Sequence, residues 1–184
     1  MRHITLIAFS VLLFKFEGRG QKFEPDTTIN NILKIEDYRS IEQSLGDIME
    51  KLNHAAPLPD VYYTNSLSNL YLRLVFFPGS TRNSFSRFEI GTKPAGKKYE
   101  MLPKFNDFGP ESGISIGDSM KSVIEKKGSS YKKYRNAGVT VLFYEISDMS
   151  GNHFLQCYNM PGYSAKYYFR NGKLFKMSYG FDYP

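Results

Sequence analysis

The apolar positions of this chain change their period along its length. Tyr38, Ile41, Leu45, Ile48 and Leu52 fall three and four residues apart, the spacing that lines one face of an α-helix. Asp37 stands before them as an N-cap, a carboxylate placed to accept backbone N–H groups two or three residues on. Gly46 interrupts the stripe, and the pattern predicts a helix that runs through it to Asn53 at a cost of about 1 kcal/mol. Pro57 and Pro59 then end it. Val61 to Tyr63, Tyr71 to Phe77 and Ser84 to Ile90 are rich in aromatic and β-branched residues and read as strands, with Pro78 to Asn83 as a loop. Gly91 to Gly113 holds three prolines, four glycines and four lysines and reads as a linker or surface excursion. Ahead of the first helix, Gln21 to Asn31 reads as an extended polar lead-in, with ordered structure beginning near Ile32.

The second half runs a similar programme. Asp118 is an N-cap candidate, Met120, Val123 and Ile124 form a short apolar stripe, and Gly128 takes the place of a helix C-cap. Val139 to Ile146 is a strong strand and Phe154 to Tyr158 reads as another. Ala165 to Phe169 and Leu174 to Tyr179 flank Asn171-Gly172, the dipeptide that suits a type I′ hairpin turn because both central residues need positive φ.

The first residues change the picture of where the protein works. Met1, Arg2 and His3 precede a largely apolar run from Ile4 to Phe14 broken only by Thr5 and Ser10, followed by a polar stretch ending Gly18-Arg19-Gly20. This is the layout of a secretory signal, with Gln21 as the expected mature N-terminus. The run is shorter than the roughly 20 residues that cross a bilayer. Cys157 is the single cysteine, so no intramolecular disulfide forms and no cysteine near the cleavage point accepts a lipid. These features predict a bacterial exported protein, periplasmic or secreted, with no stable membrane anchor, whose mature part (21–184) is held by its apolar core. The precursor carries a net charge of +6. Loss of Arg2, Lys15, Arg19 and Glu17 with the leader leaves +4, too mild a bias to mark a nucleic-acid binder. The chain holds 14 Tyr and 15 Phe but no Trp, a composition that suits half-buried strands.

Setting Gly46 over Gly128 places Ser40 on Ser122, Ile41 on Val123 and Arg39 on Lys121. The expectation is an α+β fold of two tandem repeats, about residues 32–91 and 114–180, each a helix followed by antiparallel strands, with the helices on one face of a shared sheet. Ile116-Gly117-Asp118-Ser119-Met120-Lys121-Ser122-Val123-Ile124, closing at Gly128, resembles the repeat of the β-lactamase-inhibitor proteins and of the SmpA/OmlA outer-membrane-assembly lipoproteins. The first copy departs from it, with Glu36 near where a glycine is expected. The resemblance implies a concave, aromatic face opposite the helices that docks a partner protein. No inhibitory loop transfers residue by residue.

Chemistry is sparse. No phosphate loop, dinucleotide fingerprint or Gly-x-Ser-x-Gly elbow occurs, and no ligand set for a metal or cofactor is expected. His153 precedes Cys157 by four residues, about 13 Å in a strand, so Cys157 reads as structural and no catalytic residue is assigned. Glu89, Asp107, Glu145 and Asp148 are the acids weighed for a glycosidase pair. The charged feature with a shape is the basic cluster Lys126, Lys127, Lys132, Lys133 and Arg135, interleaved with Tyr131 and Tyr134, of which Tyr131 to Arg135 reads as a loop offered to a partner. Tyr62, Tyr63, Tyr71, Tyr158, Tyr163, Tyr167, Tyr168 and Tyr179 supply a second candidate surface, since alternate strand residues face opposite ways. Tyr167 and Tyr179 join the loop as the expected binding residues. The reading is a noncatalytic binding or assembly module whose partner is a cell-envelope protein or, second, an acidic glycan, and not nucleic acid. The alternative is a small secreted carbohydrate-active hydrolase with a scattered site.

Overall fold

The structure is a computed structural model in which residues 22–77 and 84–182 are described. The expected leader and the loop 78–83 lie outside the described residues. In chain order the elements are β1 (Thr28–Ile29), β2 (Leu33–Lys34), α1 (Tyr38–Leu45), a 3₁₀ turn (Met49–Lys51), β3 (Asp60–Asn65), β4 (Leu70–Val75), β5 (Arg87–Thr92), β6 (Glu100–Leu102), α2 (Met120–Lys127), β7 (Lys132–Asn136), β8 (Val139–Ile146), α3 (His153–Tyr158), β9 (Tyr163–Arg170) and β10 (Lys173–Phe181). The fold is α+β, dominated by one eight-stranded sheet of order β6-β3-β4-β5-β10-β9-β8-β7. Its ladders are antiparallel except β3 with β6.

One register line across this sheet joins Tyr63, Leu72, Ile90, Met177, Tyr167 and Leu142, all buried. Ile41 of α1, Val123 of α2 and Leu155 of α3 belong to the same cluster, so the helices cover that face. The hairpin between β9 and β10 turns at Asn171 and Gly172, with φ of 50° and 74°, as the dipeptide requires. α1 and α2 have eight residues each, and their first residues are 82 apart. Each stops at a glycine of positive φ whose N–H donates to a carbonyl four residues back, the geometry in which glycine avoids the Cβ penalty.

Several elements depart from the sequence reading. α1 does not pass Gly46. The chain breaks there at φ 74° and resumes in the 3₁₀ turn, and Ile48 and Leu52 are still buried; the apolar stripe is kept by two short pieces rather than one helix. α2 is capped by Ser119, which accepts the Ser122 N–H, while Asp118 accepts the Ser115 N–H and pairs with Lys126. Phe154 to Tyr158 is helix, not strand, because Asn152 caps it by accepting the Leu155 N–H and Asn159 closes it in the left-handed conformation. Tyr131 to Arg135 is not a loop, since Lys132–Asn136 pairs along β8 as an edge strand. The segment 91–113 is only partly a surface excursion, because β5 extends to Thr92, β6 joins the sheet, and Phe105 and Phe108 are buried.

Order also begins earlier than Ile32. Phe23 is buried and stacks on Tyr144 at 4.8 Å. The Glu111 carboxylate accepts the backbone N–H groups and hydroxyls of Thr27 and Thr28 at 2.6–3.0 Å. Asp26 pairs with Lys127 at 2.7 Å, both side chains 2 % exposed. Lys127 also donates to the Glu24 carbonyl at 2.8 Å. Asp26 accepts from the Ser112 N–H and hydroxyl, and its carbonyl accepts the Tyr163 hydroxyl at 2.5 Å. Burial pushes the Asp26 carboxyl above the ordinary carboxylate range, against the pull of Lys127.

Two outcomes are expected. Lys127→Met leaves a buried carboxylate unpaired and should lower the unfolding free energy by about 3–5 kcal/mol, with Asp26→Leu/Lys127→Met recovering much of the loss. Urea unfolding followed by circular dichroism measures both, and a Lys127→Met protein as stable as wild type would remove the pair from the account. Second, burial raises the hydroxyls of Tyr144, Tyr163, Tyr167 and Tyr179 above the ordinary tyrosine value. A raised folded-state value means stability that is complete below the unfolded value, about 10, and is lost as pH rises above it. Tyrosinate absorbance from these four should therefore appear together with loss of the near-ultraviolet circular dichroism. Ionisation that left that signal intact would contradict the burial.

Candidate functional site

The side chains between the buried ones form the opposite face. Tyr62, Arg73, Glu89, Ser178, Lys166, Phe143 and Lys132 make one line across the strands. Tyr71, Gly91, Lys176, Tyr168, Val141 and Tyr134 make the next. This face is aromatic and charged at once, and its two ends differ.

At the β3–β4–β5 end the groups satisfy one another. Arg73 pairs with Asp60 at 2.6 Å and lies over the Tyr62 ring. Tyr62 stacks on Tyr99 at 5.2 Å, with Tyr71 beside both. The Tyr71 hydroxyl donates to Glu89 at 2.7 Å, and burial followed by this bond pushes it up. The Tyr71 ring occupies the space over Gly91, where a Cβ would stand 2.7 Å from Cε1; glycine is what lets the ring lie flat across β5.

At the β7–β10 end the aromatics are more open. Tyr134, Val141, Phe143, Lys166 and Tyr168 line a cleft of about 350 Å³. Tyr134 is 53 % exposed, and its ring is 6.4 Å from that of Phe143. Lys166 holds its ammonium 5.4 Å above Phe143, Lys176 lies 4.4 Å above Tyr168, and Arg170 lies 4.7 Å above Phe175, distances at which a cation is attracted by the ring face. Lys132 pairs with Glu145 at the outer edge, which raises the lysine's affinity for its proton. Burial pushes the Tyr168 hydroxyl up.

The expected binding residues divide on this geometry. Lys132, Lys133, Tyr134 and Arg135 are exposed on β7, and Tyr131 is half-buried against Tyr144. Only Tyr134 among them lines the cleft. Tyr167 and Tyr179 are fully buried; their hydroxyls are spent on Asp26 and on the Thr28 carbonyl, so neither reaches a binding surface. Phe143, Lys166 and Tyr168 take their place. The signal for them was parity: Lys166 and Arg170 are charged, so the even positions of β9 face out and carry Tyr168 with them, while Ala165, Tyr167 and Phe169 face in.

The helix at 153–158 also revises the cysteine. His153 and Cys157 stand one turn apart with Sγ 3.5 Å from Nδ1 and 3.6 Å from Nε2, and both are exposed, whereas a strand would have parted them. His153 lines a second cleft, about 430 Å³, between Lys22–Pro25 and the start of α3; Cys157 does not. No third group orients His153 among the described residues, which leaves the pair short of the nucleophile–base–orienter arrangement. The acids weighed for a glycosidase do not gather either. Glu89 and Glu145 each engage a lysine on the open face, Asp148 accepts from Ser150 and Gly151 in a turn that holds its carboxyl below the ordinary range, and the Asp107 side chain accepts the Phe108 N–H. Among the described residues no group of three His, Cys, Asp or Glu side chains is placed to hold a metal ion, and no helix is long and apolar enough to cross a membrane.

No protein-family model matches the sequence, and no curated protein matches it either. Among solved structures, the chain is similar to one named "putative beta-lactamase inhibitor protein" from Streptococcus mutans, with a TM-score of 0.23 and 16% identity over 84% of this chain and 89% of that one. So loose a superposition does not establish a common fold.

Cys157 should react with a thiol reagent in the native protein about as fast as in the unfolded one. Cys157→Ser should change stability by no more than about 0.5 kcal/mol. A protected thiol, or a large loss of stability in the serine variant, would contradict the exposed placement.

Proposed function

We propose that this is a noncatalytic, exported docking module that seats a partner protein of the cell envelope on the open face of its sheet, over the quarter built by β7, β8, β9 and β10. One observation carries the reading. A contiguous aromatic and aliphatic group, exposed Tyr134 with half-buried Val141, Phe143 and Tyr168, lines an open cleft on a sheet whose core needs none of these side chains. Grouped exposed apolar side chains mark interaction sites, whereas scattered ones need no explanation. Tyrosine and phenylalanine offer large contact area at small entropic cost, which is why interfaces favour them.

Export rests on the basic start and apolar run of the first 20 residues. Descent from a duplicated helix-and-strand unit is supported by α1 and α2, of equal length and alike in their glycine stops, and by the three consecutive strands β3–β4–β5 and β8–β9–β10 that each half places side by side. β5 and β10 meet at the centre. A carbohydrate-active hydrolase has no comparable support, because its candidate acids are tied up singly in ion pairs and turns.

The test is a cross-linked capture from the native envelope fraction with the full exported chain and a Phe143→Ala/Tyr168→Ala variant. A stoichiometric partner should be recovered by the wild type and reduced by about tenfold or more, about 1.4 kcal/mol, with the variant. The variant's thermal transition serves as the folding control. Equal recovery by a folded variant would sink the assignment of this quarter.

A further inference from the structure

The two ends of the sheet differ electrostatically as well as chemically. The strands β7 to β10 carry seven Lys or Arg and one acid, Glu145. The strands β3 to β6 carry two basic residues and three acids. On the β3–β6 side the acids answer the bases, through Arg73 with Asp60, and Arg87 pairs with Asp182 just past β10. On the β7–β10 side, Lys132 has Glu145 and Lys176 reaches Glu89 across the seam at 3.7 Å. Lys133, Arg135, Lys166 and Arg170 have no carboxylate within ion-pair distance among the described residues, and all four are exposed.

These unanswered cations lie in and around the cleft. Lys166 is part of its lining. Arg170 follows Lys166 and Tyr168 on the same side of β9, its guanidinium over the Phe175 ring. Lys133 and Arg135 flank Tyr134 on β7; the pleat turns them away from the open face, so they add positive field at the sheet edge rather than contacts in the cleft. A cation over a ring face keeps its outward donors free for an anion, and an apolar floor strengthens any charge pair formed above it by excluding water. The arrangement has an uncharged centre and a positive rim.

Resting on the docking reading above, we infer that the occupant of this quarter is an acidic protein segment, in which an aromatic or large aliphatic side chain enters the cleft and neighbouring Asp or Glu carboxylates meet Lys166 and Arg170. The charge complementarity selects an anion, and the Val141–Phe143 floor selects a peptide over a polyanionic chain. A sulfated or uronic glycan satisfies the cations but leaves that floor without an apolar partner. Rim charges of this kind act chiefly on association rate and on the choice of partner, so binding should weaken as salt is raised.

A displayed library of random linear peptides selected on the full exported chain tests this, with heparin and vesicles containing phosphatidylglycerol as parallel probes. Enriched peptides should be rich in Asp and Glu around an aromatic or Leu/Ile residue. They should bind at least about tenfold more weakly to Lys166→Glu/Arg170→Glu, and weaken with added salt. Those two side chains are exposed, so an unchanged thermal transition confirms that the variant folds. Enriched peptides that are neutral or basic, and that are lost only with Phe143→Ala/Tyr168→Ala, would overturn the acidic partner while leaving docking at this face in place. Peptides indifferent to both variants, or no enrichment, would overturn both. Retention on heparin or vesicles that the enriched peptides do not displace would assign the cations to a polyanion or a lipid surface and overturn the inference.

Discussion

The buried pair between Asp26 and Lys127 joins segments that are far apart in the chain, and the cover over the second half of the sheet depends on it. Asp26 brings the lead-in, Lys127 brings the last turn of α2, Ser112 brings the loop before α2, and Tyr163 and Tyr167 bring β9. Taking two charges out of water is costly, and the cost is offset only when the remaining donors and acceptors are also met. Here they are met by the Glu24 carbonyl, both Ser112 donors and the Tyr167 hydroxyl. Lys127 is thus a lysine at the end of a short helix whose ammonium is committed to the interior, while Lys126 turns to Asp118 and the Gly113 carbonyl. With lead-in, helices and loop drawn to one side, the other side of the eight-stranded sheet carries no helix among the described residues, and Tyr99 lies over it at the β3–β5 end.

An open sheet face and two sheet edges are liabilities for aggregation. The edges are short, three residues in β6 and five in β7, and β7 carries Lys132, Lys133 and Arg135. On the face, cross-strand neighbours answer one another: Arg73 with Asp60, Lys176 with Glu89, and cations over Tyr62, Phe143 and Tyr168. Such pairs stabilise a sheet modestly. Their larger effect is to hold aromatic rings under charge, so that the face stays hydrated without surrendering its contact area.

How much of this was legible in the sequence follows from which signals are local. Gly128, Asn171-Gly172 and the run 139–146 each announce their geometry within a few residues, and each appears as expected. Asn152 and Asn159 also announce a helix between them, but Phe154-Leu155 reads equally as strand, and the caps decide. Gly46 reads as an interior cost and serves as an end. The lead-in departs for a different reason: Phe23 and Asp26 are ordered by Tyr144, Lys127 and Ser112, partners 86 or more residues further along the chain that no local pattern can indicate. The site suffers from parity. Adjacent tyrosines at 167 and 168 look alike, yet one is sealed in the core and the other lies half-buried on the open face.

That parity is also what gives the open face its meaning. On β8 the core requires Leu142 and Tyr144, and on β9 it requires Ala165, Tyr167 and Phe169. The residues between them are under no such demand; a threonine at 141 or 143 would serve the pleat as well. Rings on the open face gain nothing from the core they turn away from, and the cations beside them that lack a carboxylate partner among the described residues oppose compactness by mutual repulsion. The same chain shows at its other end how such a face is neutralised, with Asp60, Glu89 and a stacked tyrosine cluster. One half of this sheet surface thus settles its charges internally, while the other keeps grouped aromatics beside cations that have no carboxylate partner among the described residues.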